Sequence, residues 1–211
     1  QPQNYKTVTG AHIDPVYGDS YEVGLKGAFH DNRLNVGLAL YQIKEDNKAI
    51  PLTDVYAPDG SQAYEALSGT KSRGIELEIA GQLRPGWQVV GSWSHNVTRD
   101  RDGERLLTAV PKNLLKLFTS YHLASVGNGL TVGSGVTWQS KAYTDDLGPL
   151  DARFTQPSYA LVQLMARYPI NRSMTASVHL WNALDKVYYG STGNSYYGTP
   201  RSARVALTVT F

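Results

Sequence analysis

The chain has 211 residues, a net charge of +2 and no cysteine. That length fits one large or two small domains, the charge gives no bulk electrostatic case for nucleic acid, and disulfides and thiolate metal sites are excluded. No stretch approaches 18 consecutive apolar residues, so no transmembrane helix is predicted, and "QPQNYKTVTG" (1–10) lacks the basic and apolar regions of a signal peptide.

Helical periodicity is nowhere sustained; period two is everywhere. In chain order, strands are predicted over 20–30, 33–44, 70–83, 87–97, 113–123, 130–140, 157–168, 174–184 and 201–211. The connections between them alternate in length. "HDNR" (30–33), "RPG" (84–86), "ASVGNG" (124–129) and "PINRS" (169–173) are hairpin-sized and rich in turn residues. The others, 45–69, 98–112, 141–156 and 185–200, are long, and long loops in compact domains are generally functional. In an antiparallel meander alternate connections share an end. Tight turns therefore collect at one end and long loops at the other, the polarity of transmembrane β-barrels.

One phase of the alternation is apolar throughout. It runs through Leu25, Leu38, Leu77, Val89, Leu117, Val136, Val162, Val178 and Val205 and carries no charge, whereas the interleaved positions hold Glu22, Lys26, Glu76, Glu78, Lys116, Arg167 and Arg204. Both a soluble β-sandwich and a membrane barrel alternate in this way. Two features favour the barrel. The apolar phase carries an aromatic at the tight-turn end of five strands, Phe29, Trp87, Tyr121, Tyr168 and Phe211. Such a ring is expected where amphipathic side chains anchor at a membrane interface on the periplasmic side. Each apolar stretch also suits the ~9–11 residues of a tilted strand crossing a bilayer. At the opposite end, Trp138 is placed for the second girdle. Nine strands is an odd number and an open sheet edge is not viable in lipid, so the chain is expected to be the last nine strands of a larger barrel.

The segments "YEVGLKGAFHDNRLNVGLALYQIKEDN" (21–47) and "SRGIELEIAGQLRPGWQVVGSWSHN" (72–96) resemble strand–turn–strand units of TonB-dependent ferric-siderophore receptors. "VPKNLLKLFTSYHL" (110–123), "WNALDKVYYG" (181–190) and "YYGTPRSARVALTVTF" (196–211) resemble later strands of that family, in order and spacing. The resemblance implies an all-β, antiparallel up-and-down transmembrane barrel of 22 strands, with 1–211 forming part of the barrel domain in the outer membrane of a Gram-negative bacterium. It also implies an N-terminal plug and a TonB box that are not within these residues.

The implied function is ferric-siderophore uptake energised through TonB, with no intrinsic cofactor. The iron chelate is the transported ligand, and the TonB complex, outer-membrane lipid and the barrel-assembly machinery are partners. Phe211 resembles the terminal aromatic read by that machinery. Members of the family hold organic iron chelates with loop aromatics and arginines. Trp138, Tyr143, Tyr188, Tyr189, Tyr196 and Tyr197 are the candidates here, with Arg105 (beside Arg99 and Arg101) for an anionic chelate. The plainer reading is that these aromatics pack loop on loop. Glu76, Glu78, Lys116, Arg167 and Arg204 are expected to face the lumen and hydrogen-bond a plug, or simply to form a hydrated wall. The alternatives are a porin-like passive channel and a soluble sandwich.

Nothing in the chain suggests catalysis. No G-x-S-x-G occurs, and "GTKSRG" (69–74) lacks P-loop spacing. "DRDGE" (100–104) fails EF-hand spacing, and the histidines show no ligand spacing.

Overall fold

A computed structural model describes residues 2–147, 152–192 and 196–210. Its elements are all strands. They are β1 (Tyr17–Phe29), β2 (Leu34–Asp46), β3 (Lys48–Tyr56), β4 (Gln62–Leu67), β5 (Thr70–Arg84), β6 (Trp87–Arg99), β7 (Arg105–Leu106), β8 (Asn113–Leu123), β9 (Leu130–Gln139), β10 (Ala142–Leu147), β11 (Ala152–Gln156), β12 (Tyr159–Pro169), β13 (Met174–Trp181) and β14 (Ser202–Val209). One sheet runs β1-β2-β5-β6-β8-β9-β12-β13-β14, with β7 on β6; β3-β4 and β10-β11 are separate hairpins. All nine predicted strands are therefore members of one meander. A single sheet with two hairpins departs from the sandwich alternative, which needs two packed sheets.

The chain divides into two compact units. The first comprises Gln1–Val23, Leu40–Ile75 and Asn96–Leu107. It contains the β3-β4 hairpin and the β6-β7 pair, within the segments 45–69 and 98–112 that the sequence leaves as long loops. Lys6 bridges to Ala63, and its ammonium meets the Asp59 carboxylate at 2.5 Å. Tyr5 packs on Tyr64 with centroids 4.3 Å apart. These contacts tie the N-terminal segment to the hairpin.

The second unit comprises Gly24–Ala39, Glu76–His95 and Thr108–Phe211 and holds all four tight turns. At 30–32 three consecutive residues, His30, Asp31 and Asn32, adopt φ of 53–64°, a region that Asn and Asp tolerate better than most residues. In the next turn Pro85 precedes Gly86, which has φ +80°. Gly81 has φ +139°, and a Cβ there would lie 2.0 Å from the Arg33 carbonyl oxygen, so only glycine lets β2 and β5 approach here.

The registers keep the predicted phases apart. Trp87 pairs with Tyr121, Tyr121 with Val132, Val132 with Ala166, Ala166 with Val178 and Val178 with Val205. One step away, Gly91, Leu117, Val136 and Val162 form a second apolar row. The other face carries Ser92–Lys116–Thr137–Leu161 and Gly133–Met165–His179–Arg204. Large apolar side chains on the first face stand in the open: Leu25 is 73 % exposed and Val205 78 %. A sheet whose apolar face is uncovered suits lipid as its solvent better than water.

The aromatics of the turn end follow the same logic. Phe29 closes β1, Trp87 opens β6, and Tyr121 and Tyr168 lie near the ends of β8 and β12. Trp87 meets Tyr121 edge to face at 6.5 Å, and its indole N–H donates to Thr119 Oγ1 at 2.7 Å. Phe211 lies outside the described residues. Two glycines of the polar phase make room for neighbouring side chains. A Cβ at Gly74 would meet the Tyr41 ring, and one at Gly135 would meet Phe118 and Gln163. The sheet's own large side chains fill that room.

Candidate ligand-binding site

The second unit's long connections carry most of the nominated aromatics, and they are organised. Strand β13 stops at Trp181 rather than 184, because Asn182 takes φ +47° and Asp185 φ +53°. The chain then runs back toward β14 with Tyr189 bridged to Tyr197. Gly190 N–H donates to Tyr196 O at 2.9 Å, and Gly198 N–H to Tyr188 O at 2.8 Å.

Two aromatic groups result. Tyr188 packs against Tyr159 at 4.7 Å, and Tyr159 stands on the polar face of β12, in phase with Leu161 and Gln163. Tyr189 stacks on Tyr197 at 5.0 Å and takes Phe154 of β11 edge-on at 4.7 Å. The β10-β11 hairpin is joined to this loop by polar contacts. Tyr189 N–H donates to the buried Gln156 Oε1 at 2.7 Å, and Thr144 Oγ1 donates to the buried Thr192 Oγ1 at 2.7 Å. On the hairpin itself, Arg153 lies over the Tyr143 ring at 4.3 Å and makes a two-point contact with the Asp145 carboxylate.

The Tyr189 phenol titrates above the ordinary tyrosine range. Its hydrogen bond with the Tyr197 phenol is the main cause, and the like charge of that neighbour adds to it. The Tyr189 phenol is therefore a neutral hydrogen-bonding group at physiological pH. Beneath the loop lies a cavity of about 370 Å³, lined by Thr137, Gln163, Trp181, Asn182, Tyr188 and Thr199 among others. Rings, hydroxyls and amides without a free carboxylate suit a bulky organic ligand held by area and hydrogen bonds.

The remaining nominations fall elsewhere. Trp138 pairs with Leu115 and Ala160 and shares its row with Trp93, so it stands on the apolar face. That is not the polar face that the cavity opens on. Tyr196 and Tyr197 are largely exposed. Arg105 lies on β7, opposite Arg99, in the first unit. Of the charges expected to face a lumen, Glu78 and Lys116 line a depression of about 470 Å³ together with Ser92, Thr137 and Gln163. Glu76 is exposed on β5, Arg167 pairs with Thr131 and Ser177, and Arg204 with His179.

Sequence reasoning missed Phe154, Tyr159 and Gly198. Only Tyr159 left a signal, as a large aromatic on the polar phase of a strand.

Comparison with known proteins agrees with this architecture. A family profile described as "TonB dependent receptor-like, beta-barrel" matches residues 1–203. The chain is 39 % identical over 214 residues to the ferric-pyoverdine 358 receptor of Pseudomonas putida, covering 100 % of this chain and 26 % of that receptor. It is 41 % identical over 200 residues to the ferric-pyoverdine BN7/BN8 receptor of the same species, covering 94 % and 23 %. Among solved structures, the pyoverdine outer membrane receptor FpvA of Pseudomonas aeruginosa PAO1, bound to pyoverdine, superposes with a TM-score of 0.89 at 36 % identity, covering 100 % of this chain and 32 % of that one. The chain thus spans about a quarter of the length of the two Pseudomonas putida receptors it matches. It belongs to the β-barrel family of TonB-dependent receptors.

Proposed function

We propose that this chain supplies barrel wall and extracellular loops to an outer-membrane receptor that takes up a ferric siderophore of the pyoverdine class, energised through TonB. Receptors of this family are transporters rather than enzymes, and they are outer-membrane β-barrels of Gram-negative bacteria. The observation that carries the reading is the pair of aromatic groups on two joined connections, Tyr188 on Tyr159 and Tyr189 on Tyr197 and Phe154, with Tyr188 lining a cavity on the polar face of a sheet whose other face is apolar. Identity of 39–41 % to ferric-pyoverdine receptors supports the ligand class.

In this mechanism the chelate settles on the rings, which offer contact area at low entropic cost. Tyr196, largely exposed on the same connection as Tyr188, is open to the chelate from the outer side. Iron enters as the chelate's cargo, without protein ligands. Lys116, Arg167, Arg204, Glu76 and Glu78 form the hydrated wall against which a plug is seated and released. No covalent bond is made or broken in the chelate.

The test is uptake of radiolabelled ferric pyoverdine by a receptor-deficient Pseudomonas strain carrying the complete receptor gene. Uptake that requires the receptor and vanishes without TonB is expected. Uptake that persists without TonB would support the passive-channel alternative, and no uptake of any pyoverdine tested would remove the ligand assignment.

A further inference from the structure

We propose that Asn182, Asp185 and Gly198 are positioning residues that clamp the β13–β14 connection and thereby hold the Tyr188 ring as a fixed wall of the cavity beneath it. The inference rests on the functional reading above, which makes that cavity part of the ligand path.

Asn182 follows directly on β13, is 5 % exposed and has left-handed φ. Its side-chain amide donates to Lys186 O at 2.9 Å and to Thr199 O at 3.2 Å, while Oδ1 accepts from Lys186 N–H at 2.8 Å. One buried carboxamide thus ties the start of the connection to its far end. A buried amide satisfied on both sides fixes geometry, because losing any partner leaves a polar group unpaired. Asp185 repeats the tie three residues on. Its Oδ1 accepts from Arg201 N–H at 3.0 Å, and its carboxylate lies 3.8 Å from the Arg201 guanidinium.

Gly198 completes the clamp through space rather than through backbone conformation. A Cβ there would lie 2.1–2.6 Å from three atoms of the Tyr188 ring. The ring therefore lies on the bare glycine backbone, with Tyr159 packed against it at 4.7 Å. Held between these neighbours, Tyr188 has few rotamers to lose on binding, and a pre-organised wall binds more tightly than a mobile one. The clamp residues act through Tyr188; Gly198 and Asp185 are not among the residues lining the cavity.

The experiment is a double-mutant cycle on the complete receptor in outer-membrane vesicles, with radiolabelled ferric pyoverdine as the probe. Gly198→Ala displaces the ring. Asn182→Asp removes both amide donations while keeping the size and the acceptor. Each is expected to raise Kd about tenfold with the number of binding sites unchanged. In a Tyr188→Ala background the same substitutions should add no more than about twofold, because the group they position is gone. Equal effects in both backgrounds overturn the clamp. So does a fall in site number at constant Kd, which marks a purely structural role, or wild-type affinity in both single variants. If the wild type binds no ferric pyoverdine, the functional reading fails, and the clamp is read from fluorotyrosine placed at position 188. Its single sharp fluorine resonance should shift or broaden in Gly198→Ala and Asn182→Asp; an unchanged spectrum overturns the clamp independently of ligand.

Discussion

Leu117 offers a quantitative test of which face meets lipid. It pairs with Gly91 and Val136 on the apolar face and is 39 % exposed. Tyr121, four positions along β8, lies near the tight-turn end, where the girdle is expected. At ~3.4 Å per residue and a tilt of ~40°, Leu117 lies about 10 Å above that girdle, close to the middle of an apolar band ~25 Å tall. A lysine at that depth costs ~2–4 kcal/mol, or about thirty- to several-hundredfold in the folded-to-unfolded ratio. Gln163 is the matched control. It neighbours Val162, which belongs to the same row as Leu117, but it faces the other side and lines the depression that holds Glu78. Gln163→Lys should therefore change stability by less than about 1 kcal/mol, as expected for a hydrated wall. The assay is urea unfolding of the complete receptor in phospholipid vesicles, followed by loss of compact migration on unheated gels. A wild-type midpoint for Leu117→Lys, or equal losses for the two variants, would refute the assignment of faces.

Two further outcomes follow from local geometry. Gly81→Ala should lower stability in the same assay by about 1–3 kcal/mol, since a Cβ collides with the Arg33 carbonyl and φ is +139°. Asp59 titrates well below the ordinary carboxylate range, chiefly through the Lys6 ammonium and then through Ser61. A carboxyl depressed in the folded state contributes stability above its unfolded pKa of 3.8, and that contribution is lost as pH falls through the lower folded value. Intrinsic-rate-corrected hydrogen exchange of peptides spanning 57–64 should stay slow at about pH 4 and quicken only in stronger acid. Asp59→Asn should abolish that step.

The sheet was legible because lipid and water impose opposite demands on successive side chains. A strand with charge at Lys116 and Leu at 117 declares its faces without any partner in view. The registers then join apolar rows only to apolar rows, as a one-residue slip would turn a whole row over. The hairpins β3-β4 and β10-β11 were not legible. "KAIPLTDVY" (48–56) contains a proline and no clean alternation, and its pairing is held by contacts from outside the strand. Gln62 Nε2 bonds the Leu52 and Val55 carbonyls, and Asp46 Oδ1 receives Gly69 N–H. Such bonds run from side chains to backbone across a loop, at separations of 7, 10 and 23 residues, and no local period announces them.

The candidate site divides along the same line. Tyrosines crowded into "DKVYYGSTGNSYYGTPR" (185–201) nominate themselves by type, but type alone also nominated Trp138. There the strand period was the better guide: position 138 shares the phase of Val136, and the register with Leu115 and Ala160 sets it on the apolar face. A loop has no period to arbitrate, so the packing of Tyr188 on Tyr159 and of Tyr189 on Phe154 could not be read in advance. Gly198 shows why. In sequence it looks like a turn glycine before Thr199-Pro200, yet it is not among the positive-φ glycines and needs no unusual backbone. Its missing side chain is space for another residue's ring, ten positions earlier in the chain. A glycine needed for φ can be inferred from its neighbours in sequence, whereas a glycine needed for room can be recognised only once the ring that fills the room has been placed.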